Sequence, residues 1–285
     1  MAARRAGPTA LLLAGRARHA EGDLATETVG LTYLGLLLEH SDRFAEARRT
    51  LDRSIEGRRP VPAPAHLLLR GHPGLRQPWR PGGALDHLAM LERLLAEVED
   101  RCYHARAATA GSWLWRELGD LGRARELADR AVDLLGPATT GTHPGLHAQL
   151  ALAETALVAG DDAEAVRLLD RAGGQLDRPF GYRWRVELRH AELASRLDPP
   201  AAEALLELAR THGSAKYQAL APARLGHRDE ATRIAAPVGS DYLLAQVAPA
   251  AQARAAIDRI AAALSPDLRP SFLERGQLVV ALGLA

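Results

Sequence analysis

A short turn-then-helix phrase recurs along the 285-residue chain and constrains its fold more than any other feature. It reads Ser41-Asp-Arg-Phe-Ala-Glu-Ala47, Gly119-Asp-Leu-Gly-Arg-Ala124, Gly160-Asp-Asp-Ala-Glu-Ala165 and Gly226-His-Arg-Asp-Glu-Ala231. In each, a Gly or Asp closes one helix and a small residue begins packing one turn into the next. Glycine suits the left-handed position at a helix C-terminus, and aspartate suits the N-cap that follows. A chain punctuated in this way is expected to be a run of helical hairpins. The composition agrees, because Ala, Leu, Arg and Glu dominate while β-branched residues are scarce, with 4 Ile and 11 Val. Good helix formers without strand formers imply an all-α fold.

Other classes are excluded by arithmetic. With 47% hydrophobic residues the chain is too apolar for disorder, yet no segment approaches the roughly 18 uncharged apolar residues of a membrane span. A net charge of +1 does not suit a dedicated nucleic-acid binder, which needs a basic surface to displace counterions. A single cysteine, Cys102, rules out a disulfide framework or a multi-cysteine metal site. Near the start, Arg16 ends the apolar run that begins at Ala10, short of a signal peptide's core, so a cytoplasmic location is expected.

The spacing of the phrases carries a family resemblance. Gly119 and Gly160 are 41 residues apart, and Gly160 and Gly226 are 66 apart, close to two periods of about 34 residues. One unit reads Leu31, Leu34-Gly35, Leu38, Ala47, Leu51 and Pro60. A second reads Trp115, Gly119, Ala124, Ala128, Ala131 and Pro137, and a third Leu152, Ala153, Gly160, Ala165, Leu169 and Ala172. These units resemble the tetratricopeptide repeat (TPR) family over roughly residues 25–60 and 100–175. The fit loosens afterwards, where Asp198-Pro199-Pro200 replaces the glycine turn. The run Ser265–Leu273 resembles the end of TPR regions in actinobacterial ATPase-type regulators and cyclases. The arginine-rich makeup, with Lys216 the only lysine and no asparagine, also suits a high-GC, actinobacterial-like gene.

The resemblance implies a single domain over 1–285, a right-handed α-solenoid of antiparallel hairpins with a concave face lined by the first helix of each unit. Carried onto this sequence, it places Thr32, Leu36, Glu39 and His40 on that face in the first unit. The second unit contributes Arg106, Thr109, Trp113, Arg116 and Glu117. The third contributes His147, Leu150, Glu154 and Leu157, and a looser fourth Arg189 and Arg196. Arginines beside a tryptophan suit an acidic protein segment with an apolar anchor, since Arg grips carboxylates bidentately and Trp and Arg dominate interface energetics. Trp113 and Trp115 lie two residues apart on one helix, so one is expected in the core and the other on the face. Chaperone-tail-binding TPR domains resemble one another in using Lys and Asn as a carboxylate clamp, which a chain with one Lys and no Asn cannot build.

No phosphate loop, nucleophile elbow, H-E-x-x-H or dinucleotide-binding glycine motif occurs, so no catalytic residue and no cofactor is assigned. His143-Pro-Gly-Leu-His147 spaces two imidazoles four apart, but His143 precedes a proline and is expected to lie before the helix, and no third ligand is fixed; no metal is assigned. Cys102 and His104 are two apart and point to opposite sides of a helix, so they form no nucleophile–base pair. The Pro/Gly-rich stretch 57–83 reads as an irregular insertion carrying Trp79, His72 and arginines. Its helical neighbour, Ala84–Glu99, shows Leu at core spacing. The first expectation is a noncatalytic adaptor binding a partner segment in its groove. A sensor module of a transcriptional regulator or signalling ATPase, and an all-helical enzyme or small-molecule binder with 57–83 as a lid, are the alternatives.

Overall fold

A computed structural model describes residues 88, 89, 92, 95, 96, 101–137, 141–177 and 183–283. The 57–83 stretch and the first repeat unit, with Thr32, Leu36, Glu39 and His40, lie outside the described residues. All the regular structure described is helical. The helices are α1 (Arg101–Glu117), α2 (Leu121–Leu135), α3 (His143–Val158), α4 (Asp162–Gly173), α5 (Arg183–Leu197) and α6 (Ala201–His212). They continue as α7 (Ala215–Arg224), α8 (Arg228–Ala235), α9 (Asp241–Val247), α10 (Ala250–Ala262), α11 (Arg269–Arg275) and α12 (Gln277–Ala281). None of the described helices is long and apolar enough to cross a membrane.

The repeated phrase produces repeated local structure. At the end of α1 the backbone reaches φ +84° at Gly119, which lets Asp120 N–H bond back to Trp115 O at 2.9 Å. The Asp120 carboxylate then accepts from Arg123 N–H at 3.0 Å and caps α2. The same sequence of events follows α3: Gly160 at φ +78°, Asp161 N–H to Ala156 O at 2.9 Å, and the Asp161 side chain accepting from Glu164 N–H at 3.1 Å. Glycine supplies the left-handed turn and aspartate satisfies a donor that the first helical turn leaves orphaned. The Gly226 turn keeps its positive φ, but His227 makes no side-chain cap, consistent with a short α8.

Small residues of the even-numbered helices are fully buried, as their spacing predicts: Ala124, Ala128 and Ala131 in α2, Ala165 and Ala172 in α4. Removing side-chain bulk lets backbones approach and share one core. Each helix packs on its chain neighbours, and the odd-numbered helices also contact one another in series, α1 on α3, α3 on α5, α5 on α7 and α7 on α9. The C-terminal segment returns to the start of this run, with α12 against α1 and Ser271 Oγ donating to Leu118 O at 3.0 Å. Trp113, Leu114, Leu118, Ile257, Ile260 and Phe272 form the core of that closure.

Three local expectations are corrected. His143 does not precede its helix but opens α3, because Thr142 caps it and Pro144 falls in the first turn, where a missing N–H costs nothing. The tail reads from its sequence as a closing helical pair, Ala250–Leu264 and Pro270–Leu284, but the second helix is broken at Gly276. A Cβ there would stand 2.4 Å from Phe272 O and 3.1 Å from Glu117 O, so the chain turns at a residue with no side chain to accommodate. Trp113 and Trp115 do not divide between core and face: Trp113 is buried and Trp115 half-buried, and both pack on the same core cluster.

Candidate functional site: a buried arginine–glutamate network

Side chains from the odd-numbered helices converge on one charged network. Its centre is Glu154 in α3, whose carboxylate receives Arg116 from α1 and Arg189 and Arg196 from α5. Arg196 Nη2 is 3.0 Å from Oε1. The second acidic node is Glu192, between the two arginines of its own helix. Arg189 Nη1 donates to Glu192 Oε2 at 2.5 Å and Arg196 Nε to Oε1 at 2.8 Å. From α7, Arg224 Nη2 reaches the same Oε1 at 3.3 Å. Arg189 and Arg196 precede and follow Glu192 by three and four residues, spacings at which a helix sets side chains on one face.

Glu117 forms the third node. Its Oε1 accepts from the Tyr242 hydroxyl of α9 at 3.0 Å. The Gln277 amide bridges two nodes when its nitrogen is oriented to donate to Glu117 Oε1 (2.9 Å), which leaves its oxygen to accept from Arg196 Nη1 (3.2 Å). Among the described residues, Glu117 Oε2 and Arg116 Nε have no partner although both are buried. Trp113 and Tyr242 meet in a T-shaped arrangement, ring centroids 5.8 Å apart and planes at 72°.

Burial and charge set the electrostatics. Arg116, Glu117, Glu154 and Glu192 are almost wholly removed from water. Desolvating an ion costs several kcal/mol, so such groups persist only when their partners compensate. Burial alone would raise Glu154, but Arg116, Arg189 and Arg196 together hold its carboxyl far below the ordinary range. Glu192 is likewise desolvated, yet Arg196, Arg189 and Arg224 bring it down to about 2. Glu117 goes the other way. Burial dominates, Arg116 only partly offsets it, and the nearby Glu154 adds to it, so its pKa rises to about 7. Burial and the same two carboxylates push the Tyr242 phenol up.

Four guanidinium groups therefore share two firmly ionised carboxylates and a third that is half protonated near neutrality. The surplus positive charge falls at Arg224. Its fork makes a single bond to the network, its side chain keeps 35% of its exposure, and desolvation with repulsion from Arg196 outweighs Glu192 to lower its pKa. Arg189 and Arg196, held by two carboxylates each, are raised instead.

Of the residues the TPR resemblance points to, Arg116, Glu117, Glu154, Arg189 and Arg196 are brought together here, on interior rather than open positions. Leu150 and Leu157 belong to the core around α3. Arg106 is exposed and outside the network. Thr109 is half-buried, its hydroxyl donating to Ala105 O at 2.9 Å. His147 instead meets His143. Sequence reading missed Glu192, Arg224, Tyr242 and Gln277. Glu192 alone left a local signal, the Arg-x-x-Glu-x-x-x-Arg pattern around it. An open cleft of about 620 Å³ between α1 and α2, lined by Arg101, Arg130, Leu134 and three carboxylates, shares no residue with the network.

No protein-family model matches the chain, and no curated protein resembles it significantly.

Proposed function

We propose that the chain is a noncatalytic helical-repeat adaptor of the TPR type, an α-solenoid whose odd-numbered helices form the face that binds an acidic segment of a partner protein in regulation or complex assembly. The observation that carries this reading is the convergence of charged residues from α1, α3, α5 and α7 on one network whose uncompensated end is the half-exposed Arg224. Two further facts support it: the serial contacts of alternate helices and the repeated Gly-Asp turns. A planar fork with free donors and surplus positive charge around it suits a carboxylate. The network behind it fixes the neighbouring arginines before a partner arrives, so little entropy is lost on binding.

Arg224→Glu is the informative substitution, because Arg116 is buried and reversing it would unfold the network rather than probe a surface. Affinity capture from native extract should show a partner in the wild type that is depleted at least tenfold in Arg224→Glu, with both proteins equally helical by circular dichroism. Equal capture by both, or no specific capture by either, would count against the adaptor.

A further inference from the structure

Glu117 stands where the C-terminal segment closes on the end of α1, and its two carboxyl oxygens have unequal surroundings. The Tyr242 hydroxyl donates to Oε1 at 3.0 Å, and the Gln277 amide, in its donating orientation, reaches the same oxygen at 2.9 Å. Among the described residues Oε2 has no donor, although it is buried. A neutral carboxyl fits this setting, with Oε1 accepting both bonds and Oε2 carrying the proton. An ionised one leaves charge on a buried oxygen that nothing solvates. The titratable and charged groups facing it are Arg116 of its own helix, Glu154 of α3, Arg196 of α5 and Tyr242 of α9. Arg116 relieves the charge only in part, because its fork is engaged by Glu154 and Thr155. From α10 the neighbouring core receives only apolar Ala256, Ile257, Ile260 and Ala261, and Arg275 of α11 is exposed and turned to Ser271 Oγ at 3.1 Å.

What covers Glu117 is held less firmly than what surrounds it. Ion pairs through Glu154 tie α1, α3 and α5 together. By contrast α12 is five residues long, buries Leu278 and Val279 on one face and leaves Val280 56% exposed on the other. Gly276 alone joins it to α11, which the fully buried Phe272 anchors. We propose that α12 is a proton-controlled latch: it lies closed over Glu117 while that carboxyl is protonated and swings out about Gly276 when the carboxyl ionises and draws in water. Closure is fully favoured below the ordinary value of 4.5 and weakens as pH rises through about 7, where burial places the covered group. Opening also withdraws the Gln277 carbonyl from Arg196 Nη1. In the adaptor proposed above, that would free a second guanidinium on the same face, but the latch does not rest on that function.

Hydrogen exchange of the full chain from pH 5 to 8, read by mass spectrometry and divided by the intrinsic amide rate at each pH, tests the latch. The reporters are the amides of Val279 and Val280, both bonded to Gly276 O at 3.0 Å. In the wild type their opening constant should rise at least tenfold over this range, level off above about pH 7, and exceed that of amides in α3–α5 throughout. Glu117→Gln should abolish the rise and keep α12 protected. Tyr242→Phe removes a bond that favours the carboxylate, so its rise should level off at a higher pH; this variant decides the matter should Glu117→Gln fail to fold. A flat wild-type profile, a rise that persists in Glu117→Gln, an unshifted profile in Tyr242→Phe, or α12 amides that exchange only together with α3–α5 would overturn the latch. Partner capture through Arg224 is measured separately, so failure of either proposal leaves the other standing.

Discussion

The Tyr242 hydroxyl donates to Glu117 Oε1 at 3.0 Å across 125 residues of sequence, joining the first described helix to the ninth. Glu117 is fully buried and its pKa rises to about 7, chiefly through burial. A carboxyl raised from 4.5 in the unfolded chain favours the folded state when protonated. Its contribution is complete below pH 4.5 and is lost as pH rises through about 7. The shift corresponds to about 3 kcal/mol. Glu117→Gln keeps the shape and removes the titration, so the variant should be more stable than wild type at pH 8 and little different at pH 4.5. Urea melts at both pH values measure this directly, and parallel pH dependence in the two proteins would refute it.

Glu192 behaves oppositely. Desolvation is outweighed by Arg196, Arg189 and Arg224, which bring it down to about 2. Its stabilisation is present above pH 4.5 and is lost as pH falls toward 2. In Glu192→Gln the acid limb of the pH–stability curve should therefore flatten, whereas the limb between pH 4.5 and 7 belongs to Glu117 and should persist. Thermal melts from pH 2.5 to 8 would show whether the two limbs separate in this way.

Glu154 is the group on which three arginines depend. Glu154→Gln leaves Arg116 buried beside a neutral amide, and breaking a buried pair by removing one partner costs about 3–5 kcal/mol. The exposed pair of Arg125 with Asp129, both more than 40% exposed, provides the contrast, since such pairs contribute about 0–1 kcal/mol. Chemical denaturation of Glu154→Gln and Arg125→Ala should rank them by several kcal/mol in that order. Comparable losses would mean that the network contributes little to folding.

Much of the architecture was readable because it is local. Gly119-Asp120 and Gly160-Asp161 dictate the same turn and cap wherever they occur, and Ala124, Ala128 and Ala131 lie on one helical face by spacing alone. The network was readable in part, since helical register places Arg116, Glu154, Arg189 and Arg196 on successive odd-numbered helices. Register does not say how deeply a face is covered. The burial of Arg116 and Trp113 depends on α9–α12 folding back on α1, a contact between residues more than a hundred positions apart. Tyr242 and Gln277 enter the site by that route and carry no local mark of it. His143 was misplaced because a following proline usually ends regular structure, whereas here it occupies the helix's first turn.

The return of the C-terminal segment needs a close backbone approach at Gly119, and a second, otherwise similar turn isolates that contribution. Gly119 and Gly160 have nearly the same φ, +84° and +78°, so an alanine at either carries a similar left-handed strain of about 1–2 kcal/mol. Their surroundings differ. Nothing lies within 4 Å of a Cβ at Gly160, whereas one at Gly119 would meet Arg275 Cβ and carbonyl oxygen at 2.5 Å. Backbone cannot yield as a flexible side chain can, so α11 must move away from the end of α1. Gly160→Ala should lose only the strain energy and keep its proteolysis pattern. Gly119→Ala should lose more stability and expose the 269–283 segment to limited proteolysis. Trypsin digestion followed by mass spectrometry, beside urea melts of both variants, tests the difference. If the two alanine variants prove equally stable and equally protected, the docking of α11 against Gly119 does not hold the chain closed.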